Sequence, residues 1–140
     1  MFLLDTNVVS EIRKIAARRA DSALENWAAE LDGAAAFVSV ITLHELEHGV
    51  LLAERRDPNG AAPLRQWLDT DVRDAFADRI LSVDQTVAKV AASLHVPDPA
   101  PINDAYIAAT AIAHKLAIVT RNVSDFTRFS GLEVINPWDT

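Results

Sequence analysis

The 140-residue chain is half hydrophobic, contains no cysteine and carries a formal net charge of −7. That length and apolar content suit one domain, residues 1–140, with a core of its own, and the missing thiols exclude disulfides and thiolate metal sites, in keeping with a reducing cytoplasm. The acidic balance argues against a protein that grips nucleic acid by bulk electrostatics, because such binders carry a basic face.

The chain runs from Met1 straight into a short apolar stretch closed by Asp5, without the basic start and longer apolar core of a signal peptide. No apolar run approaches the roughly 20 residues needed to span a bilayer, so no membrane association is expected. Short β-branched runs predict strands near 2–5, 36–41, 79–83, 117–121 and 132–135, alternating with helical patterns as in βα units on a parallel sheet. Between the first two strands, 8–14 and 22–31 read as helices. Asp57-Pro58-Asn59-Gly60 reads as a turn, followed by a helix from about Pro63 to Ala77.

After the third strand, Val87, Val90, Ala91 and Leu94 share one helical face, and Ala105, Ala108, Ala109 and Ile112 share another. Both stripes are expected to face the sheet, the second closely because of its small alanines. Pro97, Pro99 and Pro101 between these helices predict a stiff extended connection that delivers Asp104 to a helix start.

Four acids stand out by position: Asp5 after the first strand, Glu45 after the second, Asp104 at the opening of the alanine-rich helix and Asp125 past the fourth strand. The ends of parallel strands meet at one carboxyl edge, so acids distant in sequence can converge there. Like charges so gathered repel one another unless a cation joins them. Mg²⁺ is typically held by a few carboxylates together with waters and substrate phosphates, and the chemistry this suggests is metal-assisted phosphodiester cleavage. Taken singly, each acid has a plainer explanation. Asp5, Asp84, Asp104 and Asp125 suit helix caps or first turns, and Thr42-Leu43-His44-Glu45 fits a capping box. The basic groups Arg13-Lys14, Arg18-Arg19 and Arg55-Arg56 could hold phosphates or simply be solvated helix surface.

Four blocks in order, Leu3-Leu4-Asp5-Thr6-Asn7, Ser39-Val40-Ile41-Thr42-Leu43-His44-Glu45-Leu46, Asn103-Asp104-Ala105-Tyr106-Ile107-Ala108-Ala109-Thr110-Ala111 and Val119-Thr120-Arg121-Asn122-Val123-Ser124-Asp125-Phe126, span nearly the whole chain. Together they resemble the PIN-domain ribonucleases, and among these the VapC-like toxins of bacterial toxin–antitoxin pairs. The resemblance implies a three-layer αβα fold around a parallel sheet of about five strands. It implies Mg²⁺ or Mn²⁺ held by Asp5, Glu45, Asp104 and Asp125, with Thr6, Thr120 and Asn122 in support. It also implies an RNA substrate, a VapB-like antitoxin and a homodimer. Many relatives have aspartate where Asn122 stands, and a neutral amide there favours one tightly held ion over two.

One motif points elsewhere. His44-Glu45-Leu46-Glu47-His48 fits H-E-x-x-H, in which two histidines one helical turn apart bind zinc and the glutamate acts as base in peptidases. A catalytic zinc needs a third protein ligand, and the extended motif would want glycine and histidine where Leu51 and Glu54 stand. The alternatives to a nuclease are therefore a zinc peptidase and a non-catalytic interaction module whose acids are only caps.

Overall fold

The computed structural model describes residues 1–16 and 19–139, so Arg18 lies outside the described residues. Phe2–Leu4 (β1), Ala36–Ser39 (β2), Ile80–Leu81 (β3), Ala117–Val119 (β4) and Val134–Ile135 (β5) form one sheet in the order β3-β2-β1-β4-β5, every pair parallel. All five expected strands are present, each shorter than its expected span, and helices cover both faces.

Alternation along β1 divides the core. Leu4 joins Val8, Leu24, Val38, Leu46, Val50 and Val119 on one face, under Thr6–Ala16 (α1), Ser22–Glu30 (α2) and Val40–Arg56 (α3). Leu3 and Ile118 point the other way, onto Ile107, Ala108 and Ala111 of Ile102–His114 (α7). Alanines on that stripe let the α7 backbone come close to the sheet. The expected stripe is only half right, because Ala109 lies on a different flank of α7. It packs against Val87 and Ala91 of Gln85–Ser93 (α6). The apolar face of α6 therefore seats on α7 and not on the sheet.

Two local expectations are corrected. Asp57-Pro58-Asn59-Gly60 is a helix start and not a turn: Asp57 caps Pro58–Gln66 (α4) by accepting the Gly60 N–H at 3.1 Å, and Pro58 occupies the first helical position. Proline costs nothing there because that N–H has no partner in a helix anyway, and any side chain at position 60 would run into the Asp57 carboxylate. The helix continues through a π-helical turn, Trp67–Val72, into Arg73–Ala75 (α5). Arg65 ties α4 to α3 through Glu47, at 2.6 and 2.9 Å, and Glu54, at 2.9 Å.

The proline segment before α7 bends instead of running extended. Ala100 N–H donates to His95 Nδ1 at 3.1 Å, and Arg128 donates to the Pro99 carbonyl at 3.2 Å. Proline limits φ but leaves ψ free to turn the chain. The segment still delivers Pro101 as the residue ahead of α7, with Asp104 in the first turn.

Candidate active site

The strand order reverses between β1 and β4: the chain winds outward from β1 through β2 to β3, then returns to the other side of β1. Ligand crevices in open α/β sheets form outside the carboxyl ends of strands at such a switch. Asp5 follows β1, Thr120 follows β4, and the pairing of Leu4 with Val119 sets them side by side. Thr120 Oγ1 donates to Asp5 Oδ2 at 2.8 Å, joining residues 115 apart in sequence.

Asp5 is only 6% exposed. Its Oδ1 accepts the Thr6 N–H at 2.8 Å, and its Oδ2 also accepts from Asn7 Nδ2 at 3.1 Å. Burial raises the Asp5 carboxyl above its ordinary value, the donors Thr120, Thr6 and Asn7 pull it back, and the charge of Glu45 adds to the rise. A carboxylate hidden at the end of the central strand yet served by three donors is placed for more than capping a helix.

Glu45 does not close a capping box. The strand ends two residues earlier than expected because Ser39, in extended backbone, accepts the Ile41 N–H at 3.0 Å and starts α3 at Val40. Glu45 is thus more than a turn inside the helix, where the amides are already paired. Thr42, Leu46 and Val50 form the buried stripe of α3, and Glu45 stands beside it, accepting the Thr6 hydroxyl proton on Oε1 at 2.6 Å, with Thr42 Oγ1 3.3 Å from the same hydroxyl.

Among the described residues, no helix amide donates to Asp104. Its carboxyl is pushed up to about 6, first by burial and then by the charges of Asp125, Asp5 and Glu45. Four acids from four separated segments therefore share one electrostatic field. Asp125 itself is exposed, in the short helix Val123–Phe126 (α8), and Asn122 ahead of it is exposed too, with no hydrogen bond from its amide among the described residues. The backbone of Asn122 contributes instead, its N–H donating to Thr120 Oγ1 at 3.0 Å. Asp84, by contrast, is an ordinary cap, accepting the Val87 N–H at 2.9 Å. Among the described residues, no three His, Asp or Glu side chains close around a single point as they stand.

Residues 2–132 match the PIN domain family. The chain belongs to that family. It is 35% identical over 147 residues to Plasmid stability protein StbB of Pseudomonas syringae pv. tomato, 34% over 144 residues to VapC ribonuclease Y4jK of Sinorhizobium fredii, and 34% over 145 residues to Toxin FitB of Neisseria gonorrhoeae, each match covering 99% of both chains. The crystal structure of FitAcB from Neisseria gonorrhoeae has the same fold, with a TM-score of 0.88 and 32% identity, covering 100% of both chains.

The zinc-peptidase motif does not assemble in this PIN domain. His44 and His48 are both exposed on the flank of α3, their ring centres 6.4 Å apart, while Glu45 turns toward Thr6 and Glu47 is held by Arg65. No third ligand joins the histidines among the described residues. Of the basic groups, Lys14 is paired with Glu11 at 3.0 Å, and Arg19, Arg55 and Arg56 are exposed surface. Arg13 is the exception. It lies 5.9 Å from the Trp67 ring centre and lines a cavity of about 240 Å³ together with Thr6, Ser10 and Glu45.

Two members of the site escaped the sequence reading. Asn7 donates to Asp5, lies 3.3 Å from Thr120 Oγ1 and accepts the Arg121 N–H at 3.1 Å, so one amide links β1 to the loop after β4. Thr42 is fully buried beneath Thr6. A signal for Asn7 existed, because asparagine is a poor helix former whose side chain competes for backbone partners, and here it sits in the first turn of α1.

Proposed function

We propose that this chain is a single-domain, metal-dependent endoribonuclease working in the cytoplasm as the toxin of a toxin–antitoxin pair. Its reaction centre is the carboxyl edge that carries Asp5, Glu45, Asp104 and Asp125. The observation that carries the reading is the meeting of acids at one edge: Thr6 ties Asp5 to Glu45, and the Asp104 carboxyl, raised chiefly by burial, also feels the charges of Asp125, Asp5 and Glu45, a setting that favours a divalent cation.

The donor set fits Mg²⁺ or Mn²⁺, being all oxygen with no thiolate and no imidazole facing it. Asp5 and Asp104 would hold the ion, with Glu45 and Asp125 on either side. Because no three acids are drawn together as they stand, an ion here would take its other ligands from water and phosphate, as Mg²⁺ commonly does. When bound, it supplies Lewis acidity toward the phosphate and makes a nearby water easier to deprotonate.

The chain's own groups set the geometry. Thr120 and Asn7 fix Asp5 Oδ2, the Thr6 amide fixes Oδ1, and the Thr6 hydroxyl holds one oxygen of Glu45. The hydroxyls of Thr6 and Thr120 are each committed to an acid, and the proposed nucleophile is water. The relatives named a VapC ribonuclease and a toxin support RNA as substrate and an antitoxin as partner. The family resemblance supports a homodimer.

The test is purified protein on single-stranded RNA. Cleavage should require Mg²⁺ or Mn²⁺, stop with chelator and disappear in Asp5→Asn while the circular dichroism spectrum is retained. Full activity in Asp5→Asn, or in excess chelator, overturns the assignment. The toxin role is checked by expressing the chain with and without the product of the adjacent small reading frame. Harmless expression alone, with no complex on co-purification, removes it.

A further inference from the structure

An RNA strand reaching this edge meets four carboxylates on a chain of net charge −7, so any cation standing beside the acids without being neutralised by them bears on how substrate is held. Arg121 is such a group. It directly follows Thr120, whose hydroxyl serves Asp5, and its own N–H donates to Asn7 Oδ1 at 3.1 Å. The same asparagine donates to Asp5. The backbone of Arg121 is thereby fixed to the network that positions the first acid.

The side chain is held by a different contact. The Arg121 guanidinium carbon lies 5.2 Å from the centre of the Trp138 ring, at a distance where a cation is attracted to an aromatic face. Trp138 follows β5, which is the neighbour of β4, so both partners come to the same edge of the sheet. Its N–H donates to Asn136 Oδ1 at 2.9 Å, and its ring packs against the core cluster that contains Leu4, Val8 and Val119. The indole N–H is buried and has no acceptor among the described residues, so packing and not hydrogen bonding positions the ring.

Arg121 is exposed and forms no ion pair among the described residues, whereas Lys14, Arg65 and Arg73 each do. Held over a ring and not by a carboxylate, the guanidinium keeps a planar N–H edge without an ion-pair partner among the described residues. That planar edge matches two phosphate oxygens at once.

We infer that Arg121, braced on Trp138, binds a phosphate of the RNA strand at the side of the crevice formed by β4 and β5, leaving the acids free for metal. This inference rests on the ribonuclease reading and adds a substrate-binding residue to it.

The test measures binding without cutting. In an Asp104→Asn background, affinity for a fluorescently labelled, random-sequence single-stranded RNA is followed across salt concentrations. Adding Arg121→Ala should weaken binding roughly tenfold and flatten the log–log salt dependence by about 0.7, the share of one phosphate contact on a single strand. Trp138→Ala should reproduce most of that loss. Trp138→Phe should keep most of the affinity, and Arg121→Lys should recover the salt slope but not the full affinity. In the active protein, Arg121→Ala should raise KM more than it lowers kcat. Unchanged affinity and slope in Arg121→Ala overturn the inference, as does an equal loss of Mn²⁺ binding without RNA, which would make Arg121 a support for the acids instead. Failure of the unsubstituted chain to bind or cut RNA with Mg²⁺ or Mn²⁺ present would remove the ribonuclease reading as well, whereas RNA binding indifferent to Arg121 removes only this inference.

Discussion

Replacing Asp104 with asparagine should abolish cleavage and yet stabilise the metal-free fold. The carboxyl rises from 3.8 to about 6, chiefly through burial and then through Asp125, Asp5 and Glu45, and a rise of that size would penalise the ionised fold by up to about 3 kcal/mol. Asp104 keeps one side open to solvent, so screening reduces the usable figure to about 1 kcal/mol. Asparagine preserves shape and removes the charge. For a chain of this length, the gain corresponds to a melting midpoint higher by about 3–5 °C.

The sign with pH follows from linkage. A carboxyl whose folded value lies above its unfolded value favours the fold at low pH and loses that advantage as pH rises through about 6. The advantage of Asp104→Asn over the unsubstituted chain should therefore be full above pH 7 and mostly gone near pH 4. Thermal melts of both proteins in chelator at these two pH values measure it. Added Mn²⁺ should raise the midpoint of the unsubstituted chain and leave the variant nearly unmoved. A variant less stable than the parent at pH 7.5, or a gain that persists undiminished at pH 4, would refute the account of a repelling acid cluster.

Thr120→Val removes a fully buried hydroxyl that donates to Asp5 and accepts the Asn122 N–H. It should cost about 1–3 kcal/mol in urea unfolding, and by taking a donor from Asp5 it should move the acidic limb of the activity profile to higher pH. Glu45→Gln should impair Mn²⁺ binding and cutting, while His48→Ala, on the exposed flank of α3, should be nearly silent in both. Isothermal titration with Mn²⁺ and with Zn²⁺ separates these outcomes, and zinc bound stoichiometrically and lost with His48 would reinstate the peptidase motif. Ala108→Leu forces a larger side chain between α7 and the sheet, where Ala108 has no exposure, and should destabilise by about 1–3 kcal/mol; a midpoint unchanged in denaturant would contradict the close approach of α7.

The strands, the helix that opens at Asp104 and the acids themselves could be read from the chain because they depend on spacing alone. Continuous apolar runs over 2–4 and 117–119, and the i, i+3, i+4 pattern over 105–112, are properties of neighbouring residues. The four family blocks added the order in which those pieces recur. Some misreadings were local as well: Asp57 followed by Pro58 satisfies a helix start as readily as a turn, and only the chain beyond Gly60 chooses. The apolar faces of α6 and α7 were visible, but a stripe records that a face is buried and not what buries it. Glu45 shows where sequence stops. Its spacing from Thr42 fits a cap, and what draws it out of that role is the Thr6 hydroxyl, 39 residues away, once β1 and β2 pair in parallel. Asn7 with Thr120 and Arg121 with Trp138 are likewise products of strand order, since each pairs groups from different strand ends. Strand order is decided by burying both faces of β1 at once, a condition that no local window of the sequence contains.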